Sequence, residues 1–443
     1  MSVIVAGGGL AGSEAALYLA DRGIEVLLYE MRPDKSTGAH TGSDFAEFVC
    51  SNSLGSTGTS SASGLLKEEA LLLGSTLMKT AFDTRVPSGN SLSIDRHGFS
   101  AKITDLINNH PNIKVVREEV VKIPQNTPAI IATGPLTSDT LCNDIKCLTG
   151  EENFHFYDAI APIVKKESVN FEKAFYASRW NKGEADFINC PLNKEEYENF
   201  YSIISTAQRA ELKSFEAKYF EGCMPVEVLA SRGKDTLRFG PMKPVGLFDE
   251  RTRKQEHKNY QFYAVVQLRQ DDKEADLYNL VGFQTNLKWG EQKRLINAIP
   301  GLEEARIVRY GVMHANTFIN SPKILNKTLQ VKNKPDLFFA GQITGVEGYS
   351  ESITTGLFAA INMYRLLKGE KPIELKPVCM LGALIDYITF EGHKSFQPVN
   401  SNWGIIQKPE NFKISKKNKE EKSAVLSNIA LEYIKEIRNG YFC

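Results

Sequence analysis

What most constrains this chain is a glycine cluster set directly behind an apolar run at its start. Val3-Ile4-Val5-Ala6 leads into Gly7, Gly8, Gly9 and Gly12, and an acid, Glu30, closes the next apolar run. The spacing predicts one βαβ unit: a strand, a tight turn, a helix over residues 10–22 and a second strand over 24–29. Gly7 permits the sharp turn, Gly9 lets backbone approach a pyrophosphate, and Gly12 lets the helix pack close to the strand. The helix start at Leu10 and Ala11 offers amide donors and the positive end of a dipole to phosphate oxygens. Glu30 is placed to accept from ribose hydroxyls. The block is therefore expected to hold a dinucleotide.

At 443 residues the chain exceeds one small core, and two or three domains are expected. The 53 basic residues balance 53 acidic ones, so an RNA partner has to be met by a local basic patch rather than by the overall field. No apolar stretch is long enough to span a bilayer, and Met1-Ser2 runs into a strand without a basic, apolar leader; a cytoplasmic protein without membrane contact is expected. The seven cysteines, Cys50, Cys142, Cys147, Cys190, Cys223, Cys379 and Cys443, are odd in number, scattered and free of any Cys-x-x-Cys pair. That pattern argues against a disulfide framework and against a structural metal site.

A Gly/Ser/Thr-rich segment from Ser36 to Ser63, broken by Phe45 to Cys50, is long for a loop and is expected to cross the cofactor. Beyond it the pattern predicts a helix over 65–73, a strand over 91–94 and a helix capped by Ser100 running to about 109. Short strands are expected at 113–116 and 129–131, the latter ending in a Thr133-Gly134 turn. From about Phe154 the texture becomes more aromatic and charged, with a helix expected over 194–219 and strands over 260–268 and 278–283. A buried strand then returns at Asp336, reaches Gly341 and Gln342, and feeds a helix over 357–367. The tail carries Lys413, Lys416, Lys417, Lys419 and Lys422 before an amphipathic helix over 423–438. Such a lysine run is most often a solvated face, with RNA contact as the second reading. The expected division is 1–153, first part of the dinucleotide domain; 154–305, an inserted substrate domain; 306–405, second part of the first domain; and 406–443, basic tail and helix.

Three features favour FAD over NAD as the resident dinucleotide. The fingerprint is N-terminal, two later strand-to-glycine turns support it, and no second Gly-x-Gly-x-x-Gly unit exists; NAD(P)H then visits only as a reductant.

Longer runs are more specific. Gly7 to Ala16, Glu47-Phe48-Val49-Cys50-Ser51-Asn52-Ser53, Gly222-Cys223-Met224-Pro225-Val226-Glu227, Thr236 to Pro244, Gly282 to Leu287, Arg309 to His314, Gly341 to Tyr349 and Gln397 to Asn400 together resemble the folate- and FAD-dependent tRNA (uracil-5-)-methyltransferases. The likeness spans nearly the whole chain, with Ala315 standing where a basic residue is expected. It implies an α/β fold: a glutathione-reductase-type FAD-binding Rossmann domain with a mixed α/β insertion domain. It also implies transfer of a methylene carbon from 5,10-methylenetetrahydrofolate to C5 of a uridine in tRNA, in the T-loop, with FAD and NAD(P)H supplying two electrons. Because C5 of uracil is a poor nucleophile, a thiolate has to add at C6 first. The resemblance makes Cys50 and Cys223 functional. Cys223 is assigned to uracil C6, Cys50 to the flavin side and Glu227 to proton transfer, with the two cysteines open to exchange of roles. Arg238, Lys243, Lys288, Arg294 and Arg309 are candidates for folate carboxylates or RNA phosphates. His314 and Tyr349 are candidates for base contacts, with satisfied core positions an equal reading. Ribosomal RNA is the alternative target, and a small-molecule FAD oxidoreductase the alternative class. The related wobble-uridine flavoproteins are longer, with a C-terminal helical domain lacking here.

Overall fold

The computed structural model describes residues 2–151, 154–181, 184–211, 224–252, 260–409 and 419–441, with backbone alone at 156–158, 315, 419 and 441. Five parallel strands build the first sheet, in the order Lys334–Phe339, Ala129–Ile131, Ser2–Ala6, Glu25–Tyr29 and Ile113–Val116, with Gln330–Val331 added antiparallel at one edge. Central strands of such a sheet are covered on both faces, which is why Ala129–Ile131 and Leu337-Phe338-Phe339 are continuously apolar and buried. The helices Leu10–Ala20 and Tyr349–Leu367 meet backbone to backbone where Gly356 crosses Ala11: a Cβ on Gly356 would lie 2.3 Å from the Ala11 carbonyl oxygen.

A second sheet is wholly antiparallel, in the order Phe175–Ala177, Phe187–Leu192, Ala264–Gln270, Leu277–Leu280, Ile163–Lys165 and Ile307–Arg309. Its own core gathers Ile188, Phe200, Val266, Phe283 and Leu295. The last strand belongs to this sheet although it lies past residue 305, where the return to the first domain was expected. The outgoing and returning chains pair as an antiparallel ribbon, Phe154–Ala159 with Met313–Phe318.

Three helices differ from expectation. The helix assigned a Ser100 cap begins at Arg96, with Asp95 at its N-cap; Ser100 lies inside it and donates to the Ala46 carbonyl at 3.4 Å. Arg96, at the start of its first turn, is polar in sequence but buried, because it pairs with Asp271, which follows the strand Ala264–Gln270. The helix opened by the Asn193/Glu196 capping box stops at Thr206 instead of continuing to 219. Ala207 turns extended, Arg209 bridges Leu287 and the Ala210 amide donates to Asn286; residues 212–219 lie outside the described residues. The helix expected from 357 starts at Tyr349, eight residues earlier, through a buried polar run that faces the first domain's interior. Among the described residues no helix is long and apolar enough to cross a membrane, and no cluster of metal-ligating side chains occurs.

Two carboxylates work as internal caps. Glu14 accepts from the Ser75 hydroxyl and the Thr76 and Leu77 amides at the start of one helix, and Glu69 from the Met380 and Leu381 amides at the start of another. Burial outweighs these bonds and pushes both carboxyls up from 4.5 to about 7. A raised folded-state value means the native state holds extra protons between those limits, so stability falls as pH rises from about 4.5 through 7. Glu14→Gln is expected to flatten that slope by up to about 3 kcal/mol across the window, read from urea melts at pH 5 and pH 8.

Candidate active site

A cleft opens where the parallel strands reach their carboxyl ends, the usual ligand position in such sheets. Gly7, Gly9, Leu10, Ala11, Glu30, Thr133, Gly134, Gly341, Gln342 and Tyr349 all line it. Gly9 caps the first helix without a side-chain bond, no acid occupies the first turn, and a Cβ there would meet nothing within 4 Å. That combination is an open cradle for a phosphate on a helix N-terminus. Gly7 takes φ +101°, and a Cβ on Gly12 would sit 1.8 Å from the Gly7 carbonyl oxygen, so these two glycines shape the turn.

Gly8 and Gly12 do not line the cleft. Gly8 acts from behind, its amide donating to Glu30 Oε2 at 3.0 Å. Glu30 also takes three donors from Arg32: the backbone amide, Nε and Nη2. With four donors in place, a ribose hydroxyl has to share or displace one of them. Arg32 is 2% exposed and reaches Glu47 as well, at 2.9 Å. Burial alone would raise the Glu30 carboxyl, but Arg32 and the Gly8 amide hold it below the usual carboxylate range. Arg32→Ala strands two largely buried carboxylates and is expected to cost about 3–5 kcal/mol in chemical denaturation, with weaker dinucleotide retention. A loss under about 1 kcal/mol contradicts this account of the turn.

The Ser36–Ser63 segment passes beside this cleft, and its Thr37, His40, Glu47 and Val49 line it. Cys50 is half-buried, and the backbone around it is clamped on several sides. Arg96 donates to the Phe48 carbonyl at 2.8 Å, Arg309 to the Val49 carbonyl at 2.9 Å, and the Cys50 amide to the Tyr349 hydroxyl at 2.7 Å. Tyr349 in turn packs on Phe48, ring centroids 4.3 Å apart. Asn52 is fully buried and donates to the carbonyls of Ile94 and Gln270, while Asn279 donates to Asn52 and Asp271. A buried polar network thus ties the Cys50 loop to the second sheet. His40 and His314 lie nearby; burial and the neighbouring Arg32 bring His40 down to about 4, and burial with Arg309 lowers His314, so both imidazoles stay neutral.

The remaining candidates that the structure describes are elsewhere. Cys223 lies outside the described residues. Glu227 is buried, accepts from the Thr285 hydroxyl at 2.8 Å and the Asn286 amide at 2.7 Å, and has its carboxyl raised by burial. Arg238 lies over the Tyr263 ring at 3.5 Å and pairs with Asp235; Lys243, Lys288 and Arg294 are exposed. Glu227, Arg238, Lys243, Lys288 and Arg294 do not line the cleft. Cys190 and Cys379 are fully buried with thiols pushed up by burial, and burial takes Cys142 to about 11, so these three are poor thiolates. Arg32, Arg96, Asp271 and Asn279 had no role in the sequence reading, and Asn52 entered it only as part of the run Glu47 to Ser53. The acid-x-Arg spacing at 30–32 was a usable signal for the first, but nothing local marks the others.

The family described as glucose inhibited division protein A matches residues 2–371. Methylenetetrahydrofolate--tRNA-(uracil-5-)-methyltransferase TrmFO of Bacillus cereus (strain Q1) is 54% identical over 438 residues, 99% of each chain. The enzyme of the same name from Bacillus mycoides is 53% identical over the same extent. Among solved structures, Aquifex aeolicus GidA in its form II crystal superposes with a TM-score of 0.67 at 18% identity, covering 99% of this chain and 76% of that one. That last likeness concerns the fold alone.

Proposed function

Since the chain belongs to the methylenetetrahydrofolate--tRNA-(uracil-5-)-methyltransferase family, we propose that it moves the methylene carbon of 5,10-methylenetetrahydrofolate to C5 of a tRNA uridine and reduces it to methyl. The observation that carries this reading is the clamped Cys50 loop beside a cleft shaped for a dinucleotide. The residues present fit FAD: an open backbone at Gly9, an uncapped helix start and an acid at the end of the second strand. A bound flavin, re-reduced by NAD(P)H, supplies the two electrons by which carbon at the formaldehyde level becomes a methyl group.

The protein's own part is to activate the uracil and move a proton. The Cys223 thiolate adds at C6, forming an Sγ–C6 bond and shifting the ring's electron pair toward C5. Opening of one of the folate's two carbon–nitrogen bonds leaves the carbon as an iminium, C5 bonds to it, and a base removes the C5 proton. Breaking of the second carbon–nitrogen bond releases tetrahydrofolate and leaves an exocyclic methylene on C5. That methylene becomes methyl by gaining a hydride equivalent, which a bound reduced flavin would supply, as the Sγ–C6 bond breaks and the ring double bond returns. Glu227, buried with a raised carboxyl pKa, is suited to proton transfer four residues beyond Cys223. Cys50, held by Arg96, Arg309 and Tyr349, serves the flavin side. Glu30 and the first-turn amides hold the dinucleotide, and Arg309, His314 and Tyr349 border the reacting groups. Arg238, Lys243 and Lys288 meet RNA phosphates or folate carboxylates from the inserted domain. We place the reaction in the cytoplasm, where unmodified tRNA is at hand.

The test is mass spectrometry of unmodified tRNA after incubation with purified protein, FAD, methylenetetrahydrofolate and NAD(P)H. One 5-methyluridine per tRNA is expected, and none with S-adenosylmethionine in place of the folate. Steady NAD(P)H turnover with a small acceptor and no RNA product establishes the small-molecule oxidoreductase instead.

A further inference from the structure

The Cys50 loop and the helix that carries Glu227 are both tied to one aromatic outcrop beside the second sheet. Trp289 opens the helix Trp289–Asn297, keeps 63% of its surface exposed, and stacks on Tyr310 with ring centroids 5.2 Å and planes 14° apart. A lone exposed aromatic means little, but this pair is braced from behind. Gln292, 1% exposed, donates to the carbonyls of Leu287 and Gly311 and accepts from the Gly311 amide. One side chain thus locks the residue that follows Tyr310 to the turn that precedes Trp289.

Two further ties lead from this brace to the chemistry. Arg309, the neighbour of Tyr310, donates to the Val49 carbonyl, one residue from Cys50. Glu227, four residues past Cys223, is bonded to Thr285 and Asn286, which lead into Lys288 and Trp289. Lys288 and Lys293 are exposed on either side of the indole in sequence. Two rings fall far below the area that a stable protein interface buries, whereas a flat ring beside cations matches a base flanked by phosphates.

We propose that the open face of Trp289 stacks on a nucleobase of the tRNA next to the target uridine, with Lys288 on an adjoining phosphate. This rests on the methyl-transfer reading above. Stacking accepts any base, so the platform holds the displaced strand in place without reading its sequence, and its contribution falls on RNA affinity rather than on the chemical step.

Trp289→Ala is expected to raise the KM for tRNA about tenfold or more, with kcat, bound flavin and RNA-free NAD(P)H oxidation close to wild type. Trp289→Phe, which keeps a stacking ring, restores most of the affinity. The chain has three tryptophans, so a Trp180→Phe, Trp403→Phe background leaves Trp289 as the sole indole emitter, and tRNA is expected to quench it saturably. A KM within about twofold of wild type for Trp289→Ala, or emission unmoved by tRNA, overturns the proposal. Quenching by a tRNA that the wild-type enzyme leaves unmethylated supports the platform and defeats the methyl-transfer reading.

Discussion

Gly12→Ala is expected to give a protein that neither retains flavin nor reaches wild-type stability. The new methyl group would start 1.8 Å from the Gly7 carbonyl oxygen, well inside contact distance; its place is fixed by the helix backbone and the oxygen is itself backbone, so neither can swing aside. The helix Leu10–Ala20 has to lift off the turn, which also disturbs Ala11 against Gly356 and Gly341. Overpacking of this kind costs about 1–3 kcal/mol, and more where backbone must move. Gly9→Ala is the control. Gly9 has φ −75°, which alanine tolerates, and its Cβ would point into open space, so stability is expected to stay within about 0.5 kcal/mol while flavin affinity falls. Thermal melts and the flavin-to-protein absorbance ratio separate the two. Stoichiometric flavin on Gly12→Ala would show that the turn is not packed as described.

The largest kinetic loss is expected for Cys223→Ser. A serine hydroxyl offers almost no nucleophile near neutral pH, and removal of a covalent nucleophile commonly costs on the order of 10³-fold or more in turnover. Bound flavin and RNA-free NAD(P)H oxidation are expected to remain, because those depend on the cleft and not on the uracil. Cys50→Ser is expected to lose methyl transfer as well. The two are told apart by trapping: the variant that keeps its uracil nucleophile forms a covalent adduct with tRNA carrying 5-fluorouridine, and the other does not. Full turnover by Cys223→Ser, or an adduct that survives in it and vanishes in Cys50→Ser, exchanges the two roles.

The backbone that lines the cleft was legible because each of its requirements is local. A phosphate cradle needs backbone without side chains next to a helix start, and only a strand-Gly-Gly-Gly-x-x-Gly run at the right spacing supplies that. The Thr133-Gly134 and Gly341-Gln342 turns were found for the same reason: a buried strand must end somewhere, and glycine marks the place. The Cys50 clamp was not legible. Arg96, Asp271 and Asn279 are ordinary polar residues in their own segments, and burial makes them a network only because the second sheet packs on the first-domain loop. The same packing hid the true start of the helix at Arg96, and pairing of residues 209–210 with 286–287 ended the helix at Thr206.

Taken alone, the order of residues determined the strand, glycine turn and helix at the start of the chain and the later buried strands that end at Thr133-Gly134 and Gly341-Gln342, since strand period, glycine spacing and apolar runs act over a few neighbours at a time. Tertiary structure decided which polar groups become buried partners: Glu30 with Arg32, Arg96 with Asp271, and Asn52 with Asn279, the last two pairs joining residues at least 175 positions apart. A charge or amide has no fixed worth in sequence. Its contribution is set by the water it loses and the partner it gains, and both are known only once distant segments have met.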